Sequence, residues 1–416
     1  MKVLVVTDQV PGHDLAFQKS GHAQYLGSLL KHFAVRGDNV TLVVFRPKVD
    51  FLALSSRRLG YDLIGPSFAH IGASIVLLSP IGICRWIAWK IFARLPQRWQ
   101  SAIDSVRQRF RRARKTVHHL GTFIAEAEIE FVRVAIRTAK FDLVVYDGIF
   151  NSCGRIEDAQ HWLLAHEVKH ERTAIFARQG VDVTASAVSA EVESRILADV
   201  DTVIAIQQED AREFRRLSPG SRVIVLPATI AMSPRRSVVE ATRRRCMFVG
   251  SGSYHNYDGI SWFIRECWPQ IRAAIPAATL DIFGSVCYRL GEPPPGVTLH
   301  GVVDDLSPEY ASASVTIVPL RVGSGLKVKL VEAFAHEQAI VTTPVGAQGL
   351  MEIEPRPFVI AHPSAEFAAA TVALLSDPER QRVLRAVARR CAQSFAPDTA
   401  FGEFDDALAS DTRVSA

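Results

Sequence analysis

No two cysteines of the chain stand at C-x-x-C spacing. Its six, Cys84, Cys153, Cys246, Cys267, Cys287 and Cys391, are scattered singly. That excludes a zinc ribbon or a dithiol redox motif and fits a reducing compartment. No apolar run reaches the ~20 residues of a membrane-spanning helix, because the most apolar stretch, Ile71–Ala93, carries Pro80, Arg85 and Lys90. The opening Met1–Asp8 turns polar too soon for a secretory signal, so a cytoplasmic protein is expected. There is no short tandem repeat. The nucleophile motif G-x-S-x-G, a Cys–His signature and the phosphate loop G-x-x-x-x-G-K-[ST] are all missing. No D-x-D stands in a loop suited to a diphosphate-bound metal; Asp182-Val183-Thr184 lacks the second acid. No metal and no resident cofactor are expected.

What the chain has is length and apolar content. Its 416 residues, 48% apolar and 22% charged, suffice for a sizeable core without staples and for two or three domains. Net charge is only +5, but it is unevenly placed. Ten Arg or Lys and one acid, Asp104, lie between Arg85 and Lys115, so that stretch is net +9 and the remainder net −4. A local basic surface with an anionic partner follows; nucleic acid does not. Trp86, Trp89, Phe92 and Trp99 alternate there with Arg85, Lys90, Arg94 and Arg98. One reading is a buried helix pair in an elaborated domain. The other is an amphipathic segment lying on an anionic membrane face.

The rest of the chain alternates strand and helix. Short apolar runs ending in loop residues predict parallel strands at Val3–Thr7, Val40–Phe45, Leu143–Tyr146, Trp162–Ala165, Thr202–Ile206 and Val223–Leu226. The pattern lapses at 227–245, with Pro227, Pro234 and five arginines among 235–245, which suits a linker. It restarts with strands at Cys246–Val249, Thr279–Phe283, Thr298–His300, Val315–Pro319, Ile340–Thr342 and Phe358–Ile360. Helices are expected at Gly21–Arg36, Ala187–Leu197, Asp258–Ala274, Gly325–Ala335 and Ala365–Leu375. The fold class is therefore α/β, with two Rossmann-like doubly wound domains. The expected bounds are 1–235, with a helical and basic insertion at about 50–140, then 236–395, then a terminal helix in 396–416 that returns to the first domain.

The segment Val318–Ala335 is the strongest candidate site. A strand ends, Gly323-Ser324-Gly325 turns, and a helix begins with Lys327 and Lys329 near its start. The free N–H groups of such a turn suit a phosphate, and the two glycines let it approach; the bland alternative is a tight turn without ligand. Glu332 stands among the apolar Ala333, Phe334 and Ala335, where a carboxylate is costly unless paired. It could accept two ribose hydroxyls, or pair with Lys329 three residues earlier. His166 follows a strand, at the edge that faces the ligand crevice in α/β sheets. It is either a ligand contact or a loop histidine satisfied by Glu167 or Arg172. Gly21 and His22 lie near the first crevice loop and are acceptor-side candidates.

These motifs, taken in order, resemble the GT-B-fold retaining glycosyltransferases of family 4, in the subgroup with Gly-Ser-Gly-x-x-x-Lys. The resemblance is carried by Gly323–Leu350 with Thr343-Pro344-Val345-Gly346-Ala347-Gln348-Gly349-Leu350, and by Phe248-Val249-Gly250 followed by His255-Asn256-Tyr257-Asp258-Gly259. Leu280-Asp281-Ile282-Phe283-Gly284 and His300-Gly301-Val302-Val303-Asp304-Asp305 continue it. It covers about 240–395 well. In the first half it is confined to the opening strand, Ser20-Gly21, His166-Glu167 and Ala198–Ile206.

The resemblance implies a nucleotide diphosphate sugar held by the second domain and a glycan or lipid-linked acceptor held by the first, with the two domains facing a cleft. Gly250 and Asn256 would belong to the donor site. The amides near Ser324, Gly325, Leu326 and Lys327 would hold the diphosphate or sugar, Glu332 the ribose, and Gly284 with the loop from Val303 the base. His166 would contact the transferred sugar, and Lys329, Lys327 or Arg321 would neutralise the diphosphate. Retention by front-face transfer needs positioning and leaving-group stabilisation rather than an enzyme base. Two departures stand out. The first of the family's paired glutamates falls on Ser324, and the cations expected after the first donor-domain strand are replaced by Ser251, Ser253, Tyr254, His255 and Asn256. Two other readings remain: a GT-B-type nucleotide-sugar epimerase and a non-catalytic nucleotide-sugar-binding scaffold. Peripheral attachment to the inner membrane face through 85–115 is a further expectation.

Overall fold

In the computed structural model the described residues are 1–11, 21–45, 51, 53–55, 59–71, 74–78, 80–94, 123–156, 159–178, 180, 183, 187–230, 232 and 244–414. They form two compact units. The first runs to Pro227 and takes up the chain again from Phe401; the second holds Ala228–Ala400.

The first unit is built on ten strands: β1 (Lys2–Thr7), β2 (Asn39–Val44), β3 (Ala53–Ser55), β4 (Asp62–Ile64), β5 (Phe68–Ile71), β6 (Ser74–Leu77), β7 (Leu143–Asp147), β8 (Gln160–Ala165), β9 (Thr202–Ala205) and β10 (Arg222–Val225). Seven of them make a parallel sheet in the order β10-β9-β8-β7-β1-β2-β4. Its central strands are apolar on both faces, as helix-covered parallel strands must be: Val3 to Val6, Leu143 to Tyr146 and Trp162 to Leu164 are nearly inaccessible. β3, β6 and β5 form a small antiparallel sheet. The helix Gly402–Val414 belongs to this unit: Phe404 packs edge-on against Trp162 at 5.2 Å, and Asp411 binds Arg222 and the Trp162 indole.

The second unit has β11 (Arg245–Val249), β12 (Thr279–Phe283), β13 (Val297–Gly301), β14 (Val315–Val318), β15 (Ile340–Thr342) and β16 (Phe358–Ile360). All pair in parallel in the order β13-β12-β11-β14-β15-β16. The expected helix Asp258–Ala274 is longer, Tyr254 to Ala274, with a π-helical turn at Phe263–Cys267. Its Gly259 is needed for packing, since a Cβ there would lie 2.5 Å from the Pro319 carbonyl oxygen.

The insertion departs from expectation. Ile71–Ala93 is not a buried helix pair. It begins in the β5–β6 hairpin, and a single helix, Pro80–Arg94, follows with Ile87 and Ile91 exposed. Nor is 50–140 wholly helical, because β4 extends the main sheet. Short apolar runs such as Ser74–Leu77 suit either a strand or a helix by periodicity; antiparallel pairing decided this one. Most of the basic stretch, 95–115, and most of the 227–245 linker lie outside the described residues. Among the described residues no helix is long and apolar enough to cross a membrane.

Candidate functional site

Each of the two parallel sheets reverses its strand order once. In the first unit the reversal lies between β1 and β7, in the second between β11 and β14. Loops at the carboxyl ends of such strand pairs diverge to opposite faces and leave a crevice where ligands bind. The sequence-selected residues fall at these two places.

In the second unit the turn Gly323-Ser324-Gly325 follows β14, and the helix Val328–Ala335 begins with Lys327 as its N-cap. Lys327 is buried and turns its ammonium back onto the turn, donating to the Ser324 carbonyl at 2.9 Å and the Gly325 carbonyl at 2.6 Å. Lys329 leaves the helix toward the loop after β11. It donates to the Val249 carbonyl at 3.1 Å and to Asn256 Oδ1, with its ammonium 4.7 Å from the Phe248 ring centre. Asn256 is buried and organises that loop, its amide donating to the Ser251 carbonyl, Ser251 Oγ and Ser253 Oγ at 2.9–3.0 Å. The two lysines thus serve different loops, in keeping with their different directions from the helix start.

Glu332 lies one turn beyond Lys329 on the same helix. The ion pair between them does not form: Lys329 is spent on Asn256 and Val249, and among the described residues no hydrogen bond or ion pair ends on the Glu332 carboxylate. Burial pushes the Glu332 carboxyl up to about 7, with Lys329 opposing. Burial likewise lowers the Lys329 ammonium to about 7, Glu332 opposing and Lys327 adding to the fall. A partnerless carboxylate and a half-discharged ammonium side by side are costly in the free protein. They suit a ligand that brings hydroxyl donors to one and negative charge to the other.

The remaining donor-side candidates frame this place. Gly250 hydrogen-bonds Phe283 through its N–H at 3.0 Å. Gly284 has φ +93°, and a Cβ on it would lie 2.3 Å from the Gly250 carbonyl oxygen, so only glycine fits. Leu326 is buried, and Val303 is partly exposed in the loop after β13. Arg321 is not a free cation, since Asp258 binds its guanidinium at 2.6 and 3.1 Å. The loop 251–256, neutral in sequence, is served by cations from elsewhere: Lys329, and Arg289, which donates to the Gly252 carbonyl at 2.7 Å and lies over the Tyr257 ring. Sequence reasoning missed Arg289, whose only signal is its position just after the strand end at Phe283-Gly284.

In the first unit, His22 lies in the first turn of the helix Gly21–Val35, after β1, and His166 follows β8. The structure brings them together on a residue the sequence reading did not select, Asp147, the last of β7. Asp147 is inaccessible, and its Oδ1 meets His22 Nε2 at 2.8 Å and His166 Nε2 at 2.7 Å. The ring centres are 3.7 Å apart, and the Tyr25 ring stands edge-on to His166. His166 is not satisfied by Glu167 or Arg172, because Glu167 is taken by Lys169 at 2.6 Å and by Arg172. Two charges at that ring separation would repel by about 4 kcal/mol at an effective dielectric of 20, so one ring is neutral. His166 is the neutral one, lowered to about 4 by burial and by His22. Burial opposes charge on His22 too, but Asp147 and Asp8 outweigh it and raise the ring above its usual value. Burial likewise opposes charge on Asp147, yet the two histidines hold it well below the usual carboxylate range. His166-Glu167-Val168-Lys169-His170 has the spacing of a helical zinc motif, but His166 precedes the helix Lys169–Arg178 and His170 turns to Glu193 at 2.8 Å.

Residues 243–377 match the family described as Glycosyl transferases group 1. Comparison with curated protein sequences finds no match. Solved structures match along nearly the whole chain. Sucrose-phosphate synthase from Thermosynechococcus elongatus is 16% identical with a TM-score of 0.68, covering 100% of both chains. HepE from Anabaena, solved with UDP and glucose, is 14% identical with a TM-score of 0.64, covering 99% of this chain and 100% of its own. The pneumococcal O-GlcNAc transferase GtfA, solved with UDP and GlcNAc, is 11% identical with a TM-score of 0.60, covering 99% of each. The fold is thus that of GT-B glycosyltransferases. More particularly, the match to the Glycosyl transferases group 1 family falls within the second unit.

Proposed function

We propose that the protein transfers a sugar from a nucleotide diphosphate sugar to a glycan or lipid-linked acceptor, with retention of anomeric configuration, as a member of the family 4 subgroup with Gly-Ser-Gly-x-x-x-Lys. The observation that carries this reading is Glu332: a half-buried carboxylate without a partner among the described residues, on the helix that follows the glycine turn, at the strand-order reversal of the unit that matches the transferase family. Glu332 would take the ribose hydroxyls. Lys329 and the amides of Ser324–Lys327 would hold the diphosphate, and Gly250, Asn256, Gly284 and Val303 would frame the nucleotide. On the first unit, His166 would contact the transferred sugar and Gly21 and His22 the acceptor. No resident cofactor or metal enters this scheme.

Calorimetric titration with UDP and GDP, then with their common sugars, tests it on the wild type and Glu332→Ala. One nucleotide should bind, and the variant should lose it. A folded protein that binds neither would sink the transferase reading and favour the scaffold; free isomerised sugar as product would favour the epimerase.

The basic stretch suggests a peripheral membrane enzyme. Ile87 and Ile91 are exposed on the helix Pro80–Arg94, and Lys90 lies over the Trp86 ring at 5.6 Å. Sedimentation with anionic vesicles should be strong and should weaken in high salt. Equal binding to neutral vesicles would remove the idea.

A further inference from the structure

The surroundings of Asp147 account for its whole carboxylate. Thr7 Oγ donates to Oδ2 at 2.6 Å, and the Gln9 N–H donates to that same hydroxyl at 3.0 Å. Oδ1 takes Nε2 of His22 and of His166 at 2.8 and 2.7 Å. An ionised carboxylate only accepts, so each Nε2 must carry a hydrogen. A neutral imidazole has one N–H, and its Nδ1 is then a bare lone pair. Neither Nδ1 has a partner among the described residues, although the side chains are 33% and 13% exposed.

We propose that Asp147 is a positioning residue: it locks His22 and His166 together in the Nε2–H form, so that the Nδ1 atoms of the neutral rings are left to accept from sugar hydroxyls. The sugar ligand rests on the transferase reading above; the lock itself does not. The charged and titratable groups facing the pair are Asp8 after β1, Tyr25 on the His22 helix and Lys169 after β8. The Tyr25 hydroxyl is committed to the Leu226 carbonyl and Lys169 to Glu167. His22 therefore answers chiefly to Asp147 and Asp8, and it charges first because His166 is held neutral.

The test is nitrogen NMR of histidine-labelled full-length protein. In the wild type, His166 should be the Nε2–H tautomer at neutral pH and His22 should titrate above free histidine. Asp147→Asn keeps an acceptor oxygen but removes the charge, and should lower the His22 midpoint by at least about one unit. Asp147→Ala should leave His166 in mixed tautomers. An Nδ1–H tautomer or a charged His166 in the wild type overturns the lock without any variant, as does an unmoved His22 midpoint in Asp147→Asn. So does stoichiometric zinc uptake that abolishes both titrations, which would make the trio a metal site. In transfer assays the acid limb of kcat/KM should move down with the His22 midpoint in Asp147→Asn; a limb that stays put overturns the role in turnover. Absence of any transfer would sink the transferase reading while the tautomer result still decides the lock.

Discussion

Replacing Glu332 by Gln should stabilise the free protein in mild alkali while removing nucleotide binding. Burial lifts this carboxyl from an ordinary 4.5 to about 7. Below 4.5 the acid is protonated in folded and unfolded chains alike and costs nothing. Between the two values the unfolded chain releases a proton that the folded chain keeps. Stability then falls as pH rises, by about 1.4 kcal/mol per pH unit. By about pH 8 the loss is complete at ~3 kcal/mol. Lys329 cannot offset it there, because the same burial has lowered its ammonium to about 7. A glutamine has no charge to desolvate, so the two proteins should match near pH 4 and differ by up to ~3 kcal/mol near pH 8. Urea unfolding curves at the two pH values measure the difference. Equal stability near pH 8, or a gain confined to acid pH, would refute the picture of a half-buried carboxylate held without a compensating charge. Added nucleotide should invert the order: the wild type gains stability and Glu332→Gln does not.

Other outcomes follow from the same geometry. Gly284→Ala should cost at least ~3 kcal/mol, because its backbone is left-handed and its Cβ would strike the Gly250 carbonyl; soluble yield and urea midpoint read it. Arg245 is clamped between Asp281 at 2.6 Å and Glu309 at 2.5 Å. Arg245→Ala should cost ~3 kcal/mol, and less in an Asp281→Asn background, where only the more exposed Glu309 is left without the guanidinium.

Most of the fold is legible in the sequence, for a physical reason. Parallel strands buried on both faces are short continuous apolar runs, and Val3–Thr7, Leu143–Tyr146 and Val315–Pro319 are bounded by loop residues on both sides. Their observed limits differ by one or two positions. The hairpin at 68–77 is not legible, because antiparallel pairing of a half-exposed insertion leaves no period to read. In the site, Glu332 and Lys329 are visible as charges in an apolar helix, but the partner chosen by Lys329 is not. Asn256 lies 73 positions away and is brought near only because β11 and β14 are neighbours. Asp147 was missed for the same reason. At the end of an apolar strand it looks like an ordinary loop acid, and its meaning comes from β1, β7 and β8 lying side by side.

The helix Gly402–Val414 bears on how the protein is made. Its Phe404 fills space against Phe33 and Trp162, Phe401 stacks on His32 at 3.7 Å, and Asp411 holds Arg222. All of these partners are synthesised early, yet they wait for residues that leave the ribosome after the entire second unit. The described residues of the second unit lie between Ala228 and Ala400, and so are complete before Phe401 is made. The first, although it comes first, must be the last to close. Until then it presents an indole and two aromatic rings to solvent, the kind of surface that holding chaperones recognise.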